Sequence, residues 1–421
     1  MDPRILAGPP ASAGPESLPA HGARLGRLPL GDAAEAAIGT LEASGLLGRG
    51  GAGFPVGRKW RSVSGQTGGR PIVLVNGAEG EPLSAKDRTL LVLRPHLVID
   101  GARLAAEAVG ADRIVFYVGE EHRPARATLG RALAERRDLG AAGIGVDLLA
   151  APSTYVAGEE SAAVHFANAS DARPTVTPPR PYERGIAGRP TLVQNVESLA
   201  AAALIARLGA DWYRERGRHE VPGTALLTIS GSARDGVREV EIGTPIGEIA
   251  ALTGAGDRPD DRQAVLLGGY FGGWLSAERS WDLPLDPIAL RSAGSAFGAG
   301  VVAFLGNDRC GVRATARIID WMAGQSAAQC GPCVFGLRAI SDAATRLASG
   351  RPERDDLERL EHWSRQLAGR GACRHPDGAV GQVLSSLRVF GPEWELHQRR
   401  RSCTRESGMR RAAGASVAKV A

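Results

Sequence analysis

A glycine-rich stretch, residues 48–60, limits most narrowly what this chain can fold into. It reads GRGGAGFPVGRKW and contains the glycines Gly48, Gly50, Gly51, Gly53 and Gly57, with Arg49 inside the run and Lys59 after it. Glycine permits positive φ angles, and successive main-chain N–H groups in such a loop form an anion-binding concavity. The bulky side chains of Phe54 and Trp60 argue against a mere linker. We interpret the stretch as a phosphate cradle, with a plain surface loop as the alternative.

This cradle differs from the two common nucleotide-binding loops. A Walker A loop requires Gly-Lys-Ser or Gly-Lys-Thr, and neither tripeptide occurs in the sequence. A dinucleotide fingerprint directly follows a strand, whereas residues 33–47, which precede the cradle, have the amphipathic pattern of a helix. The strand comes afterwards, at residues 72–75. This order indicates a flavin or nucleotide site of a less common kind.

Polar turns follow two of the predicted strands. Strand 71–77 runs into a turn with Asn76, Glu79 and Glu81, and strand 146–150 is followed by Tyr155, Gly158, Glu159 and Glu160. Alternating strands and helices at this spacing predict βαβ units and a mainly parallel sheet. Ligands bind at the carboxyl ends of strands in such sheets. We therefore expect both turns and the cradle to converge on one site, although each turn by itself could be an ordinary polar turn.

The chain divides into regions of different composition. We expect an ill-ordered lead-in at residues 1–31, an α/β domain at 32–220, a β-grasp-like module at 221–305, a helical bundle at 306–397 and a basic tail at 398–421. The tail carries seven basic residues and one acidic residue (7 − 1 = +6), whereas the whole chain has a net charge of +5. The remainder is therefore near −1 (5 − 6), and we expect no nucleic-acid binding.

Targeting signals and cysteine usage indicate the compartment. No apolar run approaches the ~20 residues that span a membrane, and the first residues lack the pattern of a signal peptide. We expect a cytoplasmic protein that does not insert into a membrane. Peripheral association with a membrane complex is compatible with this expectation. Cys330, Cys333 and Cys373 form a C-x2-C…C pattern that suits a metal or redox role in a reducing compartment. An iron–sulfur cluster normally takes four thiolates, so buried cysteines without a ligand role remain the alternative.

Taken together and in this order, the motifs resemble the NADH-binding flavoprotein subunit of respiratory complex I and its relatives in NAD-linked hydrogenases and formate dehydrogenases. The resemblance covers residues 30–395 and rests on the cradle, NGAEGEP (76–82), KDR (86–88), YVAGEES (155–161), NVES (195–198) and CGPC (330–333). It implies an α/β fold: a Rossmann-like FMN-binding domain, a β-grasp (SLBB-like) module and a C-terminal helical bundle.

The resemblance also implies a function and its residues. NAD(P)H would reduce FMN, and electrons would leave singly through a [4Fe–4S] cluster or to a partner such as a ferredoxin or a thioredoxin-fold iron–sulfur subunit. FMN contacts are implied for Gly48, Arg49, Gly50, Lys59, Asn76, Glu79, Tyr155, Gly158, Glu159, Glu160 and Asn195, with Gly51 and Gly53 in the same loop. Glu81 and Phe54 would lie toward the nicotinamide nucleotide, and Cys330, Cys333 and Cys373 would bind the cluster. No catalytic acid or base is implied, because the flavin performs the hydride chemistry.

Departures from the family pattern affect the dinucleotide. Ala78 replaces an aspartate of the acidic turn, and Ser62, Thr177 and Arg180 stand at the positions of the aromatic and lysine contacts to NADH. Each lost aromatic platform removes about 1–3 kcal/mol of stacking. We expect weak NADH binding. Two rival hypotheses follow, an FMN flavoprotein with another electron donor and a degenerate scaffold subunit of a redox complex.

The cysteine motif departs from the pattern as well. The family's SCGxCxPC becomes SAAQCGPC here, so that Ala327 stands at the position of the first ligand. Cys310 matches a cysteine that is not a ligand in the relatives. Binding by three thiolates, a substitute ligand such as His375 or Cys403, and an empty site are the alternatives.

Overall fold

A four-stranded parallel sheet organises the first part of the computed structural model, which describes residues 2–399, Cys403 and Glu406–Ser407. The strands are β1 (Ile72–Gly77), β2 (Arg113–Gly119), β3 (Gly145–Ala151) and β4 (Thr191–Asn195), arranged in the order β3-β2-β1-β4. All three neighbouring pairs are parallel. The predicted α/β class with a parallel sheet is confirmed.

Helices cover both faces of this sheet. They are α1 (Leu18–Leu25), α2 (Asp32–Ser44), α3 (Val56–Ser64), α4 (Lys86–Leu93), α5 (Pro95–Val109), α6 (Arg123–Glu135), α7 (Arg137–Ala141), α8 (Glu160–Ala169) and α9 (Val196–Arg214). Val73 and Val75 belong to a core that includes residues of α2, α3, α5 and α9, whereas Ile72 and Leu74 belong to the core on the α8 side. Burial on both faces explains why β1 reads as an uninterrupted apolar run.

The lead-in differs from our expectation of an ill-ordered segment. It carries α1, and Ile5 and Leu6 are buried in the core. The guanidinium of Arg94 donates to the carbonyl oxygens of Leu6 and Ala7 at 2.8 Å each, and the carboxylate of Glu239 accepts the N–H groups of residues 4–6 at 2.8–2.9 Å. The composition, rich in Pro, Gly and Ala, indicated disorder. It does not reveal that two apolar side chains are buried or that distant polar groups bind the backbone around them.

A second sheet follows in the chain. Its strands are β5 (Thr224–Ser230), β6 (Gly236–Glu241), β7 (Arg262–Leu267), β8 (Gly273–Ser276) and β9 (Val301–Gly306), in the order β6-β5-β9-β7-β8, with the short helices α10 (Ile246–Thr253), α11 (Ala277–Ser280) and α12 (Pro287–Ser292) between them. β9 pairs parallel with β5 and antiparallel with β7, so this sheet is mixed.

Helices dominate the remainder. They are α13 (Gly311–Gly324), α14 (Leu337–Ala348), α15 (Asp356–Leu367), α16 (His375–Val389) and α17 (Gly391–Gln398), and the short strands β10 (Arg309–Cys310) and β11 (Glu406–Ser407) pair with each other. None of the helices in the described residues is both long and apolar enough to cross a membrane. The predicted basic tail lies outside the described residues except for residues 398–399, 403 and 406–407.

The described chain forms two compact units. The first comprises residues 2–227 and 237–243, and the second comprises residues 228–236 and 244–399 with Cys403 and Glu406–Ser407. The residues predicted as a β-grasp module and those predicted as a helical bundle thus belong mainly to one unit. The three-way division at 220 and 305 stays a prediction.

Candidate functional site

The strand order of the parallel sheet contains a topological switch point. From β1 the chain continues to β2 and β3 on one side, whereas β4 lies on the other side of β1. The connections therefore diverge between β1 and β4, and α/β sheets bind ligands at the carboxyl ends of such strands. Asn76 near the end of β1 is paired in register with Asn195 at the end of β4. The sheet itself thus places two of the predicted site residues side by side.

The loop part of the glycine cradle, residues 48–55, leaves open space around two of its glycines and lies next to the end of β4. Gly51 and Gly53 have φ angles of +108° and +65°, and no heavy atom lies within 4 Å of where a Cβ would stand at either residue. At Gly50 such a Cβ would lie 3.4 Å from the Cβ of Asn195. The first turn of α3 follows at Val56. An open loop of main-chain N–H groups leading into a helix N-terminus fits a phosphate group.

Direct contacts join the other predicted residues. Lys59 Nζ lies 2.9 Å from a carboxylate oxygen of Glu160, with both side chains about one-third exposed or less. Asn76 Nδ2 donates to the carbonyl oxygen of Gly158 at 2.9 Å. The hydroxyl of Tyr155 donates to the buried carboxylate of Glu81 at 3.2 Å. The turn after β1 and the turn after β3 therefore meet, as the sequence predicted.

The side chain of Arg49, in contrast, extends into the protein. Its guanidinium donates to the hydroxyl of Tyr213 at 3.2 Å and to the carbonyl oxygen of Thr224 at 3.1 Å, and it lies 3.8 Å from Glu197. Its backbone N–H donates to Ser198 Oγ at 2.9 Å. Arg49 anchors the start of the cradle, and its charge is engaged by buried partners.

Glu79 and Glu159 likewise use their carboxylates within the protein. Glu79, at a φ of +46°, accepts the N–H groups of Asp87 and Arg88 at 2.8 and 3.0 Å and thereby caps α4. Burial opposes ionisation, but the Arg88 guanidinium and these N–H groups hold the pKa of Glu79 below its ordinary value. Glu159 accepts the N–H groups of residues 161 and 162 and caps α8. Their role as FMN contacts stays a prediction.

Three further residues form a buried network near the cradle; the sequence analysis named them only within the KDR (86–88) and NVES (195–198) motifs and not as site residues. Lys86 Nζ lies 2.6 Å from Asp87 and 2.8 Å from Glu197, and all three side chains are buried. Asn195 Nδ2 donates to the other oxygen of Asp87 at 2.7 Å. Burial raises the pKa of Asp87 to about 6; Lys86 opposes this shift, and the neighbouring Glu79 contributes to it. The network holds the Asn195 side chain at the end of β4.

A compositional signal could have found this network. Only three of the chain's 51 basic residues are lysines, namely Lys59, Lys86 and Lys419. A lysine offers a compact point charge where a planar guanidinium does not fit. In a chain that otherwise uses arginine, two lysines at the predicted site indicate positions that require that shape.

On the expected dinucleotide side the structure shows an exposed surface. Phe54 is 49% exposed, and the guanidinium of Arg58 lies 6.0 Å from the centre of its ring. Ser62 Oγ donates to the carbonyl oxygen of Arg58 at 2.9 Å, and the N–H of Arg180 donates to Glu183 at 2.8 Å. These positions therefore present short or polar side chains where the family places rings.

The cysteine motif brings two of its thiols together. The N–H of Cys333 donates to the carbonyl oxygen of Cys330 at 3.1 Å, and a π-helical turn spans Pro332–Gly336. Burial raises the pKa of the Cys333 thiol to about 11, and negative charge on Cys330 and Cys373 adds to that shift. Although burial opposes it, hydrogen bonds from the backbone of Ala372 and Cys333 lower the pKa of Cys330. The Cys333 thiol is thus close enough to Cys330 and Cys373 for their charges to affect it, and the role of the three cysteines as cluster ligands stays a prediction.

The two substitute ligands considered above are engaged elsewhere. His375 is buried, and its Nε2 lies 2.8 Å from the carbonyl oxygen of Met322, which can only accept a hydrogen bond. That nitrogen therefore carries the proton, and Nδ1 is the nitrogen of this ring that keeps its lone pair. Cys403 lies with Cys310 and His397. The contacts of Cys403 favour another group of ligands, whereas His375 as the substitute for the missing cysteine stays a prediction.

Two regions of the chain match known protein families. Residues 41–204 match the family described as the Nuo51 FMN-binding domain, and residues 313–397 match the NADH-ubiquinone oxidoreductase-F iron-sulfur binding region. One of the NADH-quinone oxidoreductase F subunits of Rhizobium meliloti is 31% identical over 86% of this chain and 89% of its own length. The corresponding F subunit of Streptomyces coelicolor is 32% identical over 87% of this chain and 84% of its own length.

Solved structures extend the similarity to the fold. The crystal structure of NAD+-reducing [NiFe]-hydrogenase in the air-oxidized state is 28% identical with a TM-score of 0.82, covering 94% of this chain and 67% of that chain. The structure of NAD+-reducing [NiFe]-hydrogenase in the H2-reduced state gives 30% identity and a TM-score of 0.80, covering 86% and 63%. With its two matched regions and relatives above 30% identity over most of their length, the chain belongs to the family of NADH-quinone oxidoreductase F subunits.

Proposed function

We propose that this chain is the flavin-bearing, electron-accepting subunit of an NADH dehydrogenase-type oxidoreductase, which passes electrons from NAD(P)H through FMN to an iron–sulfur centre. The observation that carries the proposal is the meeting of the glycine cradle with Asn76 and Asn195 at the switch point of the sheet. When bound, FMN supplies hydride acceptance and one-electron release, and the protein supplies binding and orientation.

Particular residues would hold the flavin. The N–H groups around Gly50, Gly51 and Gly53 would bind its phosphate, and Lys59 would supply a cation that Glu160 holds in place. Asn76 and Asn195 would offer amide groups at the strand ends. Gly48, Tyr155 and Gly158 complete the set, whereas Arg49, Glu79 and Glu159 would act by positioning the loop and the helices α4 and α8.

The dinucleotide would lie on the exposed side of the cradle. Phe54 presents an accessible ring for stacking, and the carboxylate of Glu81 in the turn after β1, which accepts from the hydroxyl of Tyr155, would be a second contact to the nucleotide. Because Ser62 and Arg180 replace aromatic platforms, most of the affinity for NADH would have to come from the nicotinamide end. The substrate would therefore bind weakly and react at the flavin.

The second unit would carry the electrons onward. Cys330, Cys333 and Cys373 would bind the cluster with three thiolates, in the region that matches the iron–sulfur binding family. We assign residues 221–305 to a β-grasp (SLBB-like) module and residues 306–397 to a helical bundle, and we expect a ferredoxin or a thioredoxin-fold iron–sulfur subunit as the partner in a cytoplasmic complex. Without a spanning helix in its described residues, the chain would meet a membrane only through that complex.

Anaerobic titration of the purified, FMN-loaded chain with NADH tests the proposal. NADH is added at increasing concentrations up to the millimolar range. It should bleach the absorbance of the oxidised flavin, with one NADH oxidised per flavin reduced. Reduction by NADPH alone would keep the function and change the dinucleotide. Flavin that dithionite reduces but neither nucleotide does would overturn the assignment of the donor.

A second candidate function follows from the same surface. An FMN protein that receives its electrons from a reduced iron–sulfur protein would need no aromatic platforms at positions 62 and 180. In the same titration, reduced ferredoxin would then bleach the flavin absorbance, whereas neither NADH nor NADPH would.

A further inference from the structure

A second group of metal-ligating side chains lies in the second unit, apart from the cysteines assigned to the cluster. Cys310 immediately precedes α13, His397 lies in the last turn of α17, and Cys403 follows that helix. The thiol sulfurs of both cysteines and a ring nitrogen of His397 all lie within 4.8 Å of one another. Cys310 and His397 are buried, and Cys403 is half-buried. The proposed electron transfer uses none of these residues.

The spacing of the ligand atoms fits a tetrahedral ion. Cys310 Sγ lies 3.4 Å from His397 Nε2. Zinc binds sulfur at about 2.3 Å and imidazole nitrogen at about 2.0–2.1 Å, which places the two atoms roughly 3.5 Å apart at a tetrahedral angle. The side chains therefore already stand at the separation that one shared zinc ion requires.

The histidine ring is oriented as a ligand would be. His397 Nδ1 lies 2.9 Å from the carbonyl oxygen of Leu347 in α14, and because that oxygen can only accept, Nδ1 carries the proton. The lone pair is then on Nε2, the nitrogen that faces Cys310. A backbone carbonyl that fixes the tautomer and the ring in this way is a usual partner of a metal-bound histidine.

Backbone pairing brings the third ligand to the same place. β10 ends at Cys310, and it pairs in parallel with β11, in which Ser407 is the register partner of Cys310. Ser407 therefore lies beside the strand that carries Cys310, and Cys403 stands between His397 and Ser407 in the sequence. The N–H of Arg313 also donates to Cys310 Sγ at 3.4 Å, a contact that would stabilise negative charge on this sulfur.

We infer that Cys310, His397 and Cys403 form a binding site for one divalent cation of the zinc class. Two thiolates and an imidazole are ligands that favour zinc over magnesium or calcium, and water completes tetrahedral zinc sites with three protein ligands. The ion fastens the chain beyond α17 to the start of α13. It also explains why Cys403 does not replace the cysteine missing at Ala327.

Metal analysis of the full chain tests the inference. Protein purified from zinc-supplemented cells and washed with EDTA should retain about one zinc per chain, measured with iron by inductively coupled plasma mass spectrometry. Absorption spectroscopy at the zinc edge should find two sulfur neighbours at about 2.3 Å and one nitrogen at about 2.0–2.1 Å. Folded, FMN-loaded protein that holds less than about a tenth of an equivalent of zinc would overturn the inference.

Matched variants distinguish zinc bound at this site from metal bound by the cluster cysteines, and loss of a ligand from loss of the fold. Cys403→Ser, at a half-buried position, and His397→Gln should each lower retained zinc at least tenfold while FMN remains bound. His375→Gln is the control, because His375 is an equally buried histidine bonded to a backbone carbonyl but outside this group of ligands. It and Cys333→Ser should keep the zinc of the parent. Zinc that persists in both Cys403→Ser and His397→Gln, or that is lost only in Cys333→Ser, would contradict the assignment.

Discussion

The cradle region and the cysteine region both carry motifs of the family, but they differ in how many of the family's site residues they keep. At the cradle, the predicted glycines, Lys59 and both asparagines converge, and a buried network of Lys86, Asp87 and Glu197 supports them. In the cysteine region, the charges of Cys330 and Cys373 affect the Cys333 thiol, but Ala327 offers no ligand atom. The residues of the predicted flavin site are thus joined by contacts within the protein, whereas the predicted cluster motif lacks the family's first cysteine.

A phosphate site and an iron–sulfur site depend on their residues in different ways. A phosphate cradle uses main-chain N–H groups, so many side chains can vary without destroying it. A cluster site depends on individual sulfur atoms, each of which has no substitute in the backbone. The same degree of sequence divergence therefore spares the first kind of site and impairs the second.

The largest effect is expected beneath the cradle. Glu197→Ala removes the carboxylate that accepts the N–H of Leu226 at 2.8 Å and pairs with the buried Lys86. An uncompensated buried charge costs about 3–5 kcal/mol, so urea denaturation should show a loss of that size and flavin should be released. Glu220→Ala, at an exposed position, is the control and should stay within about 0.5 kcal/mol. Equal stability of the two variants would show that the network does not support the cradle.

A smaller loss is expected at the cradle's cation. Lys59→Gln removes a charged donor, whose hydrogen bonds are worth about 1.5–3 kcal/mol, so FMN should bind roughly tenfold to a hundredfold more weakly. Fluorescence titration of flavin-free protein measures this. Arg61→Gln, on the same helix and paired with Glu42 at the surface, should leave the affinity unchanged. Unaltered FMN affinity in Lys59→Gln would remove Lys59 from the site.

The dinucleotide surface allows a gain of function. Ser62→Phe restores a ring at a position where the family has one and should tighten NADH binding by about 1–3 kcal/mol. Calorimetry of the FMN-loaded protein measures the change, and Ser64→Phe, two residues further along α3, is the control. If the parent already binds NADH with low-micromolar affinity, the expectation of weak binding is wrong.

The smallest effect lies in the cysteine loop. Ala328, where the family motif has glycine, has a φ of +52°, a conformation that costs a residue with a Cβ about 1 kcal/mol or more. Ala328→Gly should therefore stabilise the protein by up to about 1 kcal/mol in urea denaturation. Ala327→Gly, whose φ is not positive, should destabilise it. A loss of stability in Ala328→Gly would mean that the loop does not follow this path.

The sequence predicted those parts of the molecule that follow local patterns. Residues 72–75 read as a buried strand because both faces of β1 are covered, and the glycine spacing indicated the cradle. The Lys86 network and the inward course of Arg49 depend on partners more than 100 residues away, which no local pattern reveals. The lead-in was missed for the same reason, because its order depends on Arg94 and Glu239.

Quantification of flavin, iron and acid-labile sulfide in the same air-purified sample tests most directly whether one site is complete and the other is not. We expect about one FMN per chain with well under four irons, and Ala327→Cys should raise iron toward four without changing the flavin. Four irons and one FMN per chain in the parent, with no gain in Ala327→Cys, would contradict this difference between the two sites.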